Sequence, residues 1–282
     1  MGLRPVQSQS RGTDMMLQYF SRLSRPLLMT AGLLTLLSCG TTYELPDTGG
    51  VHSDAAARLY AEARQSPPPK TLSPTAAQAR FARVEPRIMR AGRETCLQLQ
   101  TGVNCNVDIA IDREMKERNA YFTYQDGQPI IRISLPLIQD TGSDDEVAFV
   151  LAHEYGHLIG RHVEKQQQQV LAGALIGGAL AGIVGDSSDA IGLGMGVGAS
   201  AGGIVYSQSY ELESDTLGTR IAYAAGYDPV EGARFFARSE AARGASGGYS
   251  IWGTHPPDRR RVATVLATKA QIEGQVGLKA AN

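Results

Sequence analysis

The residues His153-Glu154-Tyr155-Gly156-His157 form an H-E-x-x-H motif, which constrains the fold more than any other feature of the chain. On a helix, positions four apart lie on one face, so both imidazoles can bind the same metal ion. Glu154 is offset by about 100° from His153, which lets its carboxylate approach a water molecule at the ion without becoming a ligand. Zinc lowers the pKa of such a water toward about 7. The motif therefore predicts a zinc site with Glu154 as the catalytic base.

The motif lies within a segment that is patterned as a buried helix. Ser143 and Glu146 form a capping box, and the acidic residues at 144–146 suit the positive end of the helix dipole. We predict a helix from about Asp144 to beyond His162. Apolar residues surround the motif, so its polar side chains are buried and need partners.

A catalytic zinc needs a third protein ligand, and the sequence offers a carboxylate on a second helix. Glu211 opens a helical stretch that runs to Ala225 and ends at Gly226. Asp215 lies one turn after Glu211 on the same face. Glu211 can therefore bind the ion while Asp215 holds a ligand imidazole by its second nitrogen. Glu213 is predicted to be solvated, although an exchange of roles between Glu211 and Glu213 stays open.

The histidines outside the motif are His52, His162 and His255. His162 is predicted to be a surface cation, because on a continuous helix it lies about 180° from His153. Two prolines make the loop of His255 rigid. There His255 can reach the zinc as an inhibitory fourth ligand, donate to an oxyanion, or lie at the surface, and we favour the inhibitory role. Arg261 is the other candidate oxyanion donor.

The first forty residues have the pattern of a secretory signal. Two arginines precede an apolar run over residues 26–37 that is too short to span a bilayer comfortably. Leu36-Leu37-Ser38-Cys39 resembles the bacterial lipobox, in which the cysteine is lipidated and becomes the mature N-terminus. We predict a signal peptide over residues 1–38 and a lipid anchor at Cys39 on the periplasmic side of the outer membrane. The alternative is a soluble secreted protein with an incidental cysteine.

Residues 39–74 are predicted to be a lipid-anchored tether that contains one helix and ends in a proline-rich linker. The folded domain that contains the H-E-x-x-H motif is predicted over residues 75–282, beginning with a helix that breaks or kinks at Pro86. Cys96 and Cys105 are an even pair for an oxidising periplasm. This favours a disulfide over two buried thiols.

Two strands and one apolar segment complete the prediction. Strands are expected at residues 107–111 and 130–134. Residues 170–206 carry small residues every three or four positions in two apolar halves, which predicts a closely packed helical hairpin. We expect this hairpin to cover the cleft as a lid. Contact with lipid and plain core packing are the alternatives.

Several short motifs together carry a resemblance to a known family. Over roughly residues 75–265, the chain resembles the HtpX/LoiP/BepA-type gluzincin metallopeptidases at Asn119-Ala-Tyr, the H-E-x-x-H motif, Glu211-x-x-x-Asp215-x-x-Gly218, Gly226-Tyr-Asp-Pro229, Thr254-His-Pro256 and Arg261. The resemblance implies an α+β, mainly helical, zincin-like domain with a small β-sheet and an active-site helix. It also implies one Zn²⁺ per chain, bound by His153, His157 and Glu211. Peptidases of this class present an edge strand before the active-site helix, so the resemblance implies that residues 130–134 form an edge strand that binds an extended substrate, with a core strand as the alternative. Family members often carry alanine where Ser214 stands here.

Composition restricts the class of partner. A net charge of −1 leaves no basic surface for nucleic acid, and 43% hydrophobic residues suit a globular fold.

The predicted function is that of a zinc endopeptidase that hydrolyses unfolded or misassembled cell-envelope proteins. One alternative is a non-enzymatic chaperone or assembly factor for outer-membrane proteins on the same fold. An integral prenyl-type protease is disfavoured, because many long apolar spans are missing.

Overall fold

The computed structural model describes residues 40–67, 69–184, 188–205, 207–246 and 259–281. Contacts divide the chain into a larger unit, Thr41–Gln167 with Gly203–Asn282, and a smaller unit centred on Gln168–Gly202. The elements in chain order are α1 (Val51–Gln65), α2 (Pro74–Gln98), β1 (Asp108–Asp112), β2 (Ala120–Gln125), β3 (Gln128–Ser134), α3 (Leu135–Asp140), α4 (Asp144–Ile159), α5 (His162–Val184), α6 (Ser188–Val205), α7 (Ser207–Ala224), α8 (Pro229–Ser246) and α9 (Arg259–Glu273). This mainly helical architecture with a small sheet confirms the predicted fold class.

Helix α4 carries the H-E-x-x-H motif and is the central element of the larger unit. The hydroxyl of Ser143 caps it by accepting a hydrogen bond from the amide of Glu146 at 3.2 Å. Nearly all of its side chains are buried, because α2, α7, α8, β2 and β3 pack around it. The helix ends at Ile159, and Arg161, at φ 57°, redirects the chain before α5 begins. The prediction of one helix continuing beyond His162 is therefore wrong.

Helices α4 and α7 cross at two glycines, and this crossing brings the site residues together. A Cβ on Gly156 would lie 2.8 Å from the carbonyl oxygen of Ser214. A Cβ on Gly218 would lie 2.9 Å from the backbone nitrogen of His153. Only glycine permits the two backbones to approach this closely. The face of α7 that carries Glu211 thereby meets the motif.

The three-stranded sheet has the order β1-β3-β2, with β1 parallel and β2 antiparallel to β3. Ile130–Ser134 thus lies in the central strand, and the prediction that it is the edge strand is wrong. Sequence reasoning missed β2. The sequence signals for β2 are the Asp126-Gly127 turn before β3 and the aromatic and β-branched residues at 121–124. In the structure, Ala120 and Phe122 alternate in burial with their neighbours, as a strand requires. Strand β2 is an edge strand, and it packs against α4.

The predicted tether over residues 39–74 is in large part a folded piece of the larger unit. Tyr43 forms a β-bridge with Ala280, and helix α1 packs against α8 and α9. Ala56 and Tyr60 of α1 are buried in these contacts. The larger unit therefore begins at Thr41, and the predicted boundary at residue 75 is wrong.

Helix α2 continues through Pro86, so the break predicted there is absent. The buried face of the helix, which includes Val84 and Ile88, packs against α4 and holds the helix on both sides of the proline. The last turn of α2 carries Cys96, which forms the predicted disulfide with Cys105.

The smaller unit is a hairpin in which α5 and α6 approach closely through small residues. A Cβ on Gly194 would lie 2.5 Å from the carbonyl oxygen of Gly177. Large apolar side chains such as Leu180 and Ile183 are exposed on its surface. Even so, no helix in the described ranges is both long and apolar enough to cross a membrane. The placement of this hairpin over the cleft stays a prediction.

We expect Gly218→Ala to destabilise the protein by about 1–3 kcal/mol, because the new methyl group overlaps the backbone of α4 at His153. Gly192→Ala is the matched control. Gly192 is also helical, but an added Cβ there has nothing within 4 Å, so helix propensity should stabilise this variant by up to about 1 kcal/mol. Urea unfolding of both variants and the parent measures the sign of each change. Equal effects of the two substitutions would contradict the close crossing.

Candidate metal centre

The side chains of His153, His157 and Glu211 meet at one point between α4 and α7. The Nε2 atoms of the two histidines are 3.1 Å apart. Glu211 places Oε2 3.3 Å from Nε2 of His153 and Oε1 3.3 Å from Nε2 of His157. His153 and Glu211 are buried, whereas His157 is partly exposed. The cluster is therefore accessible from the side of His157.

The donor set and its spacing fit a zinc ion. Ligand atoms about 2.0–2.1 Å from a tetrahedral zinc are separated from one another by about 3.3 Å. The observed separations of 3.1 and 3.3 Å are close to this value. Two imidazole nitrogens and one carboxylate, with a further position for water or substrate, form a ligand set of catalytic zinc sites. The residues present thus suit this ion.

Asp215 and Arg261 support the cluster from behind. Oδ1 of Asp215 lies 2.9 Å from Nδ1 of His153, the ring nitrogen that faces away from the cluster. Nε and Nη2 of Arg261 each donate to Asp215 at 2.8 Å, and Nη1 lies 3.2 Å from Oε2 of Glu211. The guanidinium is therefore directed at the carboxylates. This geometry favours support of the ligands over the oxyanion role predicted for Arg261.

These contacts change the pKa values of the buried groups. Burial and Arg261 lower the pKa of His153, but hydrogen bonds to Asp215 and Glu211 outweigh both and raise it to about 9. Burial raises the pKa of Asp215, while Arg261 more than compensates and holds it below its ordinary value. For His157, burial is the largest cause and the pKa is lowered. A metal ion that binds His153 must displace a proton, so acid weakens metal binding.

His162 and Glu213 are buried beside the cluster, and the prediction that both lie at the surface is wrong. They are 3% and 0% exposed, respectively. The end of helix α4 before Arg161 is the reason. Arg161 has a positive φ, so the angle of about 180° between His153 and His162, expected for one continuous helix, does not apply. Burial lowers the pKa of His162 well below its ordinary value and raises the pKa of Glu213 to about 7. Glu213 contacts His162, whereas Glu211 contacts the motif histidines.

Two further candidates complete the set of predicted site residues. Glu154 is buried in α4 between the two motif histidines, and its charge acts on His157. His255 lies outside the described residues, so each of its predicted roles stays a prediction.

Two imidazoles and one carboxylate that converge across two helices, with a glutamate between the imidazoles in sequence, are typical of a metallopeptidase centre. Residues 80–269 match the model of Peptidase family M48, which covers more than half of the chain. The chain belongs to this family, whose members are metal-dependent peptidases.

A protein from Yersinia pestis, named beta-barrel assembly-enhancing protease, is similar to part of the chain. The two are 32% identical over 133 residues. The match covers 44% of this chain and 27% of the length of the relative. The similarity therefore concerns one portion of that longer protein.

We expect the purified chain to retain a single equivalent of zinc, and Glu211→Gln to weaken zinc binding by more than about 100-fold, because it removes a direct ligand. Glu231→Gln is the control, since Glu231 is an exposed glutamate that pairs with Arg234. Metal analysis by mass spectrometry after dialysis against a weak chelator measures both. Full zinc retention in Glu211→Gln would contradict its place in the centre.

Proposed function

We propose that this chain is a zinc endopeptidase, lipid-anchored at the periplasmic face of the outer membrane, that hydrolyses unfolded or misassembled envelope proteins. The observation that carries the proposal is the cluster of His153, His157 and Glu211 beside Glu154. The donor set suits zinc, and membership of Peptidase family M48 supplies the class of reaction.

In the proposed mechanism, each site residue has a separate task. His153, His157 and Glu211 hold the ion, and Asp215 keeps Nε2 of His153 directed at it by accepting a hydrogen bond from Nδ1. When bound, zinc supplies a Lewis acid that polarises the scissile carbonyl and lowers the pKa of water. The carboxylate of Glu154 accepts a proton from the attacking water and donates it to the nitrogen of the leaving amine.

The substrate is proposed to bind along the outer edge of β2, which replaces β3 in this role. Strand β2 is an edge strand and packs against α4. The hydroxyl of Tyr124 donates to Glu164 at 2.7 Å, which ties the strand to the first turn of α5. An extended polypeptide adds to a sheet edge through backbone hydrogen bonds. Such binding depends little on side chains and suits a protease of unfolded chains.

Support for the envelope setting comes from the N-terminal sequence and from the relative. The lipobox pattern at Cys39 and the apolar run before it are typical of an exported lipoprotein. The Yersinia pestis protein is named for enhancing β-barrel assembly. We extend that setting to this chain, so that its substrates are polypeptides on the way to the outer membrane.

A non-enzymatic chaperone is the second candidate function. Exposed apolar side chains on the hairpin, including Leu175, Leu180 and Ile183, favour it because such surfaces bind unfolded chains. Cleavage of casein by the zinc-loaded protein, abolished by EDTA, would favour the protease. Intact casein together with suppressed aggregation would favour the chaperone.

Glu154→Gln should keep zinc bound but lower casein cleavage by about 10²–10⁴-fold, because the proton acceptor is lost while the ligands remain. Zinc content and cleavage rate are measured on the same preparation. The exposed variant Glu231→Gln serves as the control and should cleave at the parent rate. Parent-like cleavage by Glu154→Gln would exclude Glu154 as the base.

Cys39→Ala should release the protein from the outer membrane, or leave an uncleaved precursor, because the attachment site for lipid is removed. Membrane fractionation followed by immunoblotting distinguishes the two products from the anchored parent. Outer-membrane recovery of a processed Cys39→Ala chain would show that another segment supplies the anchor.

A further inference from the structure

The ring of His157 is held from behind by a second histidine. Its Nδ1 lies 2.9 Å from Nδ1 of His162. Nε2 of His162 lies 2.8 Å from Oε2 of Glu213. Oε1 of Glu213 accepts a hydrogen bond from the amide of Tyr43 at 2.7 Å. A continuous chain of hydrogen bonds thus runs from the metal-binding cluster to Thr42 and Tyr43, which we call the N-terminal segment.

The direction of each hydrogen bond follows from the metal-facing atom. Nε2 of His157 faces His153 and Glu211, so it must be free of a proton to bind an ion. The ring proton is then on Nδ1, which donates to Nδ1 of His162. His162 carries its own proton on Nε2 and donates to Glu213. The glutamate is an acceptor at both oxygens, which fixes the order of donors along the whole chain.

The surroundings hold the ring of His162 in this position. Its imidazole stacks on Tyr210 with an interplanar angle of 3° and centroids 4.4 Å apart. A Cβ on Gly160 would overlap the same ring, so the glycine provides the space that His162 fills. Thr42 Oγ1 donates to the carbonyl of Gly160 at 3.2 Å, which ties the N-terminal segment to this turn.

We propose that His162 and Glu213 are positioning residues that fix the tautomer and the ring orientation of His157, with the amide of Tyr43 holding Glu213 in place. The inference rests on the proposed role of His157 as a metal ligand. Asp215 does the same for His153 through one carboxylate. The two ligand histidines therefore have separate supports, one from α7 and α9 and one from α5, α7 and the N-terminal segment.

Removing such a support weakens metal binding by about 10–100-fold. His162→Phe keeps an aromatic ring against Tyr210 but removes both nitrogens, so we expect a loss in this range. His162→Gln should recover most of it, because its carbonyl accepts from His157 and its amide donates to Glu213. Glu213→Gln should weaken binding by about 10-fold, since an amide group accepts through only one of its two ends.

The experiment measures the zinc dissociation constant of the full chain by competition with a chromophoric chelator at fixed pH. Circular dichroism first confirms that each variant is folded. Glu146→Gln is the matched control: it removes a buried carboxylate that pairs with Arg238 at the other end of α4. This control should lose thermal stability and bind zinc as the parent does. The visible spectrum of the cobalt-loaded protein reports a change of ligand geometry directly.

A dissociation constant for His162→Phe within about threefold of the parent would overturn the proposal, against the 10–100-fold expected. Equal weakening by phenylalanine and glutamine would also overturn it, because packing alone would then explain the effect. Should His162→Phe fail to fold, Gly160→Ala tests the same point, because it displaces the ring of His162 without removing any polar group from the chain. The expected result there is weaker zinc binding in the folded protein.

Failure of this inference is distinguishable from failure of the proposed function. Zinc affinity and the cobalt spectrum report on His162 whether or not the chain cleaves protein. If the chain is a protease, zinc-saturated His162→Phe should show a lower kcat with an unchanged KM, since the substrate contacts are intact. A chain that binds zinc with the expected order of affinities and cleaves nothing would contradict the protease and leave the positioning role standing.

Discussion

The close crossing of α4 and α7 is the contact on which the metal centre depends. Gly156 and Gly218 remove the side chains that would otherwise separate the two backbones. The side chains of histidine and glutamate are short. The carboxylate oxygens of Glu211 on α7 therefore come within 3.3 Å of the imidazole nitrogens on α4 only when the two helix backbones nearly touch. The glycines are therefore as much a part of the centre as the groups that face it.

The crossing also concentrates charge in the interior. Among the described residues at the centre, the carboxylates of Glu211 and Asp215 face the guanidinium of Arg261, and all three groups are buried. Taking such groups out of water costs several kcal/mol for each ion unless opposite charges and hydrogen bonds offset it. Two carboxylates against one guanidinium leave one negative charge, which a proton on His153 balances while that histidine binds no ion. A divalent cation bound by this cluster would take the place of that proton, which is why acid is expected to oppose metal binding.

The sequence contained enough information to place the histidine pair His153 and His157 and the acidic pair Glu211 and Asp215. The two members of each pair are four residues apart on one helix, so they lie on the same face. It failed where the backbone left that regular geometry. A single residue at positive φ, Arg161, turned His162 from the predicted surface into the interior. The sequence did not predict the strand order either, because the position of β3 between β1 and β2 depends on contacts between residues distant in sequence. The N-terminal segment carries few apolar residues, and its docking uses backbone hydrogen bonds that leave no pattern in the sequence.

The docking of Thr42 and Tyr43 onto the larger unit would limit how far that unit can reach from a lipid at Cys39, the anchor that we propose. Tyr43 is the fourth residue after the proposed lipid attachment at Cys39, so the intervening chain spans at most about 14 Å. A long tether would let the catalytic unit sample the depth of the periplasm. With the lipid that we propose at Cys39, this short connection would confine the folded unit to a thin layer at the bilayer, where its search for substrate would be two-dimensional. Soluble periplasmic proteins would meet it rarely, and chains that linger at the membrane surface would meet it often.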